Sequence, residues 1–167
     1  MAYESVKNVL TVLRRQTGIC PENYDLHVHF PGGMPIDGPS AGITIAAAVY
    51  SAIKEIPVDH RVAMTGELSL HGRIKPVGGV IAKVEAARQA GAKRVLIPRD
   101  NMQHLFAQLD DIEVIPVDRI DEVFQHVFNI HELVDYEKVH VKSWSPSTEG
   151  VLSSMMKGWP EMMDKPN

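Results

Sequence analysis

The sequence predicts an α/β (α+β) domain in which a mixed sheet is flanked by helices. Three observations carry that prediction. Short apolar strand blocks alternate with helical patterns in the second half of the chain, a hairpin pattern precedes them, and an alanine-rich apolar stretch is too long to be a strand. The 167 residues suffice for one core and are too few for two large domains.

The elements follow in order. From Glu4 to Arg15, Val6, Val9, Leu10 and Leu13 recur with the spacing of one helical face, and Gly18 and Pro21 stop the pattern. Asp25 to Phe30 alternates Leu26, Val28 and Phe30 with His27 and His29, which reads as a half-buried strand. A loop rich in Gly and Pro leads to the stretch Ala41 to Ile53, a buried helix with Pro39 suited to its first turn. Arg61 to Leu70 and Arg73 to Val77 form a hairpin around His71-Gly72. Gly78-Gly79 opens a helix that Gly91 ends. Arg94 to Ile97 is a strand closed by Pro98, Asn101 to Leu109 is helical, and Ile112 to Val117 is a further strand. Asp118 then caps a helix running to about Phe128. These elements fill residues 1–129. Residues 130–167 hold both tryptophans and four of the eight methionines without periodicity, and read as an irregular C-terminal extension or tail.

Charge narrows the function classes. Seventeen basic and 21 acidic side chains give a net charge of −4, with no basic patch for nucleic acid or an anionic membrane. Cys20, the one cysteine, cannot form an internal disulfide, and there is no long apolar span and no signal segment, so a cytoplasmic protein is expected. His27 and His29 form an HxH pair, but no cysteine or carboxylate cluster completes a metal site, and none is expected. Gly78-Gly79 lacks the rest of a phosphate-binding fingerprint.

The chemistry concentrates in Pro35-Ile36-Asp37-Gly38-Pro39-Ser40-Ala41-Gly42, where a serine stands at the start of a buried helix. Unpaired N–H groups at such a terminus can hold a developing oxyanion. The plainer alternative is that Ser40 or Asp37 caps the helix. Gly38 to Gly42 also fits GxSxG, the turn of Ser-His-Asp hydrolases, although the order Ser, acid, His would need a partner such as His126 or His131, neither in a distinctive motif.

A second group comes from the helix after Gly79. At about 100° per residue from Val80, Glu85, Arg88 and Gln89 fall near 140°, 80° and 180°, whereas Lys83 falls near 300° among Ala86, Ala87 and Ala90. Such surroundings disfavour an ammonium and favour a free amine able to take a proton. A lysine that snorkels to solvent or forms an ion pair fits the same wheel.

Taken together, DLHVHFPGGMPIDGPSAG and VAMTGELSLHGRIKPVGGVIAKVEAARQAGAKRVLIP resemble the proteolytic domain of Lon proteases, nearest the bacterial LonB-like branch of spore formers. The resemblance runs from about Ser5 to Phe128 and includes the DGPSAG, TGE and GGxxxK blocks in order, with Lys83 lying 43 positions after Ser40. It implies the Lon proteolytic-domain fold and a serine-type endopeptidase with a Ser-Lys dyad, Ser40 as nucleophile and Lys83 as general base. It further implies that Thr65 orients the lysine, that Asp37 contacts the lysine in one loop state, and that Gly38 and Pro39 shape the loop. Gly78 and Gly79 are expected to let the lysine helix approach closely. Ile36 stands where the A branch commonly has lysine, in keeping with the B-like branch.

The family's early strands and AAA+ ATPase module have no counterpart in the sequence. No cofactor is therefore expected here, ATP and Mg belonging to that module. The resemblance implies a homo-hexamer in the full-length protein, acting on peptides or unfolded and regulatory proteins. A catalytically silent binding or assembly module on the same fold is the competing reading from a different class.

Overall fold

A computed structural model describes residues 2–30 and 38–128. Asp37, with the loop before it, and the expected tail from residue 130 onward lie outside the described residues. The first helix, α1 (Ala2–Thr17), buries Val9, Val12 and Leu13 completely along one stripe. Full burial of each such side chain contributes about 1.5–3 kcal/mol. Glu4 in the first turn and Arg14 and Arg15 in the last complement the helix dipole. Gly18 leaves the helix at φ +70°, a left-handed exit that glycine takes without strain.

The alanine-rich stretch forms α2 (Gly42–Lys54), which buries Ile43, Ile45, Ala46, Ala47 and Val49 and packs against α1. Its small side chains allow that close packing. Three parallel strands follow in the order β1 (Val62–Met64), β4 (Arg94–Pro98), β5 (Glu113–Val117). The central strand β4 is buried from Val95 to Pro98, as expected of a parallel strand covered on both faces. Pro116 pairs with Ile97 on the edge strand β5, where its missing N–H can face outward. Helix α3 (Val80–Gln89) lays Val80, Val84 and Ala87 on Val95 and Ile97, with Phe106 and Ile112 closing that core. Leu96 alternates with them and is fully buried on the opposite face. Helix α4 (Ile120–Val127) packs on α2, where Phe124 stacks on Tyr50 at 4.6 Å between ring centroids.

One polar cluster fixes the start of β1. Asp59 accepts hydrogen bonds from the Arg61 guanidinium, the Arg61 amide and the Arg94 guanidinium, all within 3.0 Å. Chiefly the Arg61 side chain, then its amide, holds the Asp59 carboxyl well below the usual carboxylate range against its burial. The Arg61 carbonyl in turn accepts the Lys93 and Arg94 amides, setting the β1–β4 register.

The architecture is the α/β class expected, with several local differences. The stretch Arg61 to Leu70 is not one hairpin arm. It breaks after Met64, and only β2 (Glu67–Leu68) pairs antiparallel with β3 (Ile74–Lys75), so parallel and antiparallel ladders are separate. Leu26 to Phe30 shows the alternating exposure read from sequence but joins no ladder among the described residues, bordering instead an apolar groove against α2. Asn101 to Leu109 forms two 3-10 turns, Arg99–Asn101 and His104–Gln108, rather than one helix. Asp118 does not cap α4. The N-cap is Arg119 without a side-chain cap, and Asp118 pairs with Arg99. Among the described residues, no helix is long and apolar enough to cross a membrane, and no three His, Cys, Asp or Glu side chains gather as metal ligands.

Candidate active site

Three elements meet around the serine loop. Gly38 has φ +103° and ψ 165°, a backbone conformation that glycine adopts and other residues avoid. Pro39 then opens a 3-10 turn, Pro39–Ala41, whose second residue is Ser40. The N-cap of α2 falls on Ala41, so Ser40 does not occupy the capping position. The N–H of Gly42 donates to the Pro39 carbonyl and that of Ile43 to the Gly66 carbonyl. Those two amides are therefore committed to the scaffold.

Thr65 arrives from the end of β1. Its N–H donates to the Leu96 carbonyl at 3.0 Å, extending the β1–β4 pairing by one bond, and the residue is only 7% exposed. The Thr65 hydroxyl donates to the Ser40 carbonyl at 3.2 Å, and the next amide, Gly66, donates to the same oxygen at 2.9 Å. Both hold the serine backbone.

Lys83 lies in the first turns of α3, with its N–H on the Gly79 carbonyl at 3.1 Å. Its Nζ donates to Thr65 Oγ1 at 3.4 Å. Because the Thr65 proton points at the Ser40 carbonyl, its oxygen lone pairs face the lysine. The structure thus brings Ser40, Thr65 and Lys83 into one connected group. Lys83 is half-buried, and among the described residues no carboxylate pairs with it. The polar side of α3 is where the wheel put it: Arg88 and Gln89 bind Glu85, and Arg88 above all holds the Glu85 carboxyl below its ordinary value. Ile81, one step of about 100° from Val80 and so on that same side, is 52% exposed.

The close approach expected at Gly78 and Gly79 is absent. Among the described residues a Cβ at either would meet nothing within 4 Å, and Gly79 serves through its left-handed φ of +67° as the N-cap of α3. Beside the serine loop, close approach occurs instead at two glycines that sequence reasoning missed. A Cβ on Gly42 would lie 2.8 Å from the Leu68 amide nitrogen, and one on Gly66 would lie 2.7 Å from Ile74 Cγ2. Their signal was in plain view, as the last glycine of GxSxG and the glycine of TGE. At Gly42 the obstacle is backbone and cannot rotate away. Gly42→Ala is therefore expected to lower stability by about 1–3 kcal/mol, the usual range for an overpacked site. An unchanged urea midpoint in that variant would show that β2 moves aside freely.

The comparisons with known proteins bear on the same residues. The family model for the Lon protease (S16) C-terminal proteolytic domain matches residues 1–130. This chain belongs to the Lon proteolytic-domain family. Over 127 residues it is 57% identical to Lon protease 2 of Bacillus subtilis (strain 168), covering 76% of this chain and 23% of that protein. Over 131 residues it is 50% identical to an archaeal Lon protease of Archaeoglobus fulgidus, covering 76% and 21%. Lon protease 1 of Syntrophobacter fumaroxidans is 42% identical over 148 residues, 82% of this chain and 18% of the relative. The chain thus spans less than a quarter of each of these Lon relatives.

Proposed function

We propose that the chain is the cutting part of an ATP-dependent Lon-type protease and hydrolyses peptide bonds with Ser40 as nucleophile and Lys83 as general base. The observation that carries this reading is the hydrogen-bonded run from Lys83 Nζ through Thr65 Oγ1 to the Ser40 backbone. In the mechanism it supports, the free amine of Lys83 takes the Ser40 Oγ proton as that oxygen attacks the scissile carbonyl carbon. The C–N bond then breaks, and the Lys83 ammonium returns the proton to the departing amine. Water hydrolyses the Ser40 acyl ester by the same proton path in reverse order. Thr65 keeps Nζ from swinging away. Gly38 and Pro39 set the turn that presents Ser40. With the Gly42 and Ile43 amides committed elsewhere, oxyanion donors are to be sought among the amides nearer Ser40. Asp37 is proposed as a switch, since a carboxylate beside Lys83 favours the ammonium form and so opposes its work as a base.

A Ser-His-Asp esterase has less support. Among the described residues Ser40 is hydrogen-bonded to Thr65 and Gly66, while His126 lies on α4 with no bond to the serine loop. In the full-length protein we place the substrate as an unfolded or regulatory protein chain, delivered within the cytoplasm by a homo-hexamer whose ATPase module binds ATP and Mg. The test is direct. The 167-residue chain, without ATP, should cleave a fluorogenic unstructured peptide and take up one fluorophosphonate, on Ser40. A chain that does neither is a catalytically silent assembly module.

A further inference from the structure

We propose that Asn101 is a positioning residue for Lys83, a side-chain clamp that fixes where the lysine helix begins. The proposal rests on the reading of Lys83 as general base. Asn101 closes the 3-10 turn that follows β4. Its Oδ1 accepts the Val77 N–H at 2.8 Å, and its Nδ2 donates to the Val77 carbonyl at 3.0 Å. One side-chain amide therefore satisfies both backbone groups of one residue, as an opposing strand residue would in an antiparallel pair.

The segment that is clamped has little else to hold it. Between the end of β3 at Lys75 and the start of α3 at Val80 stand Pro76, Val77, Gly78 and Gly79. Proline has no N–H to offer. Both glycines are exposed, and a Cβ at either would touch nothing within 4 Å among the described residues, so no described side chain packs on these two most permissive residues. The clamp is half-buried, joins positions 24 residues apart, and precedes the first helical residue by three positions.

The other end of the clamp is rigid. The 3-10 turn that ends in Asn101 follows directly from β4, whose Val95, Leu96 and Ile97 are buried to within 2% exposure. The Leu96 carbonyl on that strand also receives the Thr65 N–H. One firm segment, β4 with its 3-10 turn, thus sets Thr65 through Leu96 and the entry to the Lys83 helix through Asn101. The Lys83 to Thr65 contact is 3.4 Å, at the long end of a hydrogen bond, so a small drift of the first turn breaks it. The packed face of α3, Val80, Val84 and Ala87, keeps the helix on the sheet when the clamp is lost. The expected lesion is misplacement, not unfolding.

The experiment uses the full chain with Asn101→Ala, which removes both bonds, and Asn101→Asp, which keeps the acceptor but loses the donor and turns a negative charge toward the Val77 carbonyl. Both variants are expected to lose about 10- to 100-fold in kcat, the scale of a misplacement near 1 Å, with KM for a short peptide within about twofold of wild type. The Lys83 amide, bonded to Gly79, should exchange hydrogen about tenfold faster or more, while the Val84 and Ala87 amides keep their protection. Wild-type kcat in a folded variant, or unchanged exchange at Lys83, overturns the clamp. Failure of the dyad looks different: the wild-type chain itself would be inactive or indifferent to loss of Ser40, and Lys83 exchange would still decide whether Asn101 holds the helix.

Discussion

Ser40→Ala is expected to fold as the wild type does and to hydrolyse peptide on the order of 10⁴–10⁶ times more slowly, the range for loss of a serine nucleophile. The two halves of that expectation come from different atoms of one residue. What Ser40 contributes to the scaffold is its carbonyl, which accepts the Gly66 amide at 2.9 Å and the Thr65 hydroxyl at 3.2 Å. Alanine keeps that carbonyl and tolerates a 3-10 turn. What the proposed mechanism takes from Ser40 is Oγ, and α2 does not use that oxygen as its cap, because the capping position is Ala41. The variant should keep its thermal midpoint within a few degrees while the fluorescence release rate falls by that factor and fluorophosphonate uptake ceases. A residual rate above about 1% of wild type in a protein free of contaminating protease would remove Ser40 from the mechanism, since a missing nucleophile leaves only weak binding effects.

How far the sequence reaches is set by the range of the interactions involved. The α1 stripe, the continuous apolar run of β4 and the apolar face of α3 were legible because each is a local periodicity that burial then fulfils. The break at Thr65-Gly66 was not, because β1 leaves one ladder and β2 enters another only where the Ser40 carbonyl and Ile43 amide draw the chain aside. Asp118 has the right chemistry for a cap, yet Arg99 occupies its carboxylate and the Ile74 amide takes its carbonyl. Such competition between distant partners has no local signature.

The site divides along the same line. Lys83 could be singled out from a helical wheel, and Ser40 from its place before a buried helix, but their meeting through Thr65 followed only from the family resemblance. Gly42 and Gly66 were visible as motif letters whose physical reason was missing. That reason is steric: α2 and the β2–β3 hairpin come so near that a methyl group at either position would collide. Asn101 carried no signal in a single sequence, because an asparagine near the end of a strand ordinarily reads as a turn residue.

The second large effect belongs to Lys83. Lys83→Met should lower peptide turnover by at least about 10³-fold, at the upper end of what general acid–base catalysis contributes, while leaving the fold intact. Methionine keeps an unbranched stem out to Cε, with sulfur in place of Cδ, and lacks the nitrogen that reaches Thr65. Thr65 loses an incoming donor at 3.4 Å but still donates to the Ser40 carbonyl, so no buried proton is left without an acceptor. Lys83→Arg sharpens the argument, because guanidinium keeps the positive charge and cannot give up a proton. If Lys83 merely supplied charge to an oxyanion, Arg would restore much of the rate; as a base it cannot be replaced that way, and both variants should be inactive. A histidine-driven hydrolase would behave otherwise, keeping its turnover in both variants. The measurement that separates these cases is the initial rate of the three proteins on one peptide, and appreciable hydrolysis by Lys83→Arg would take the proton transfer away from this lysine.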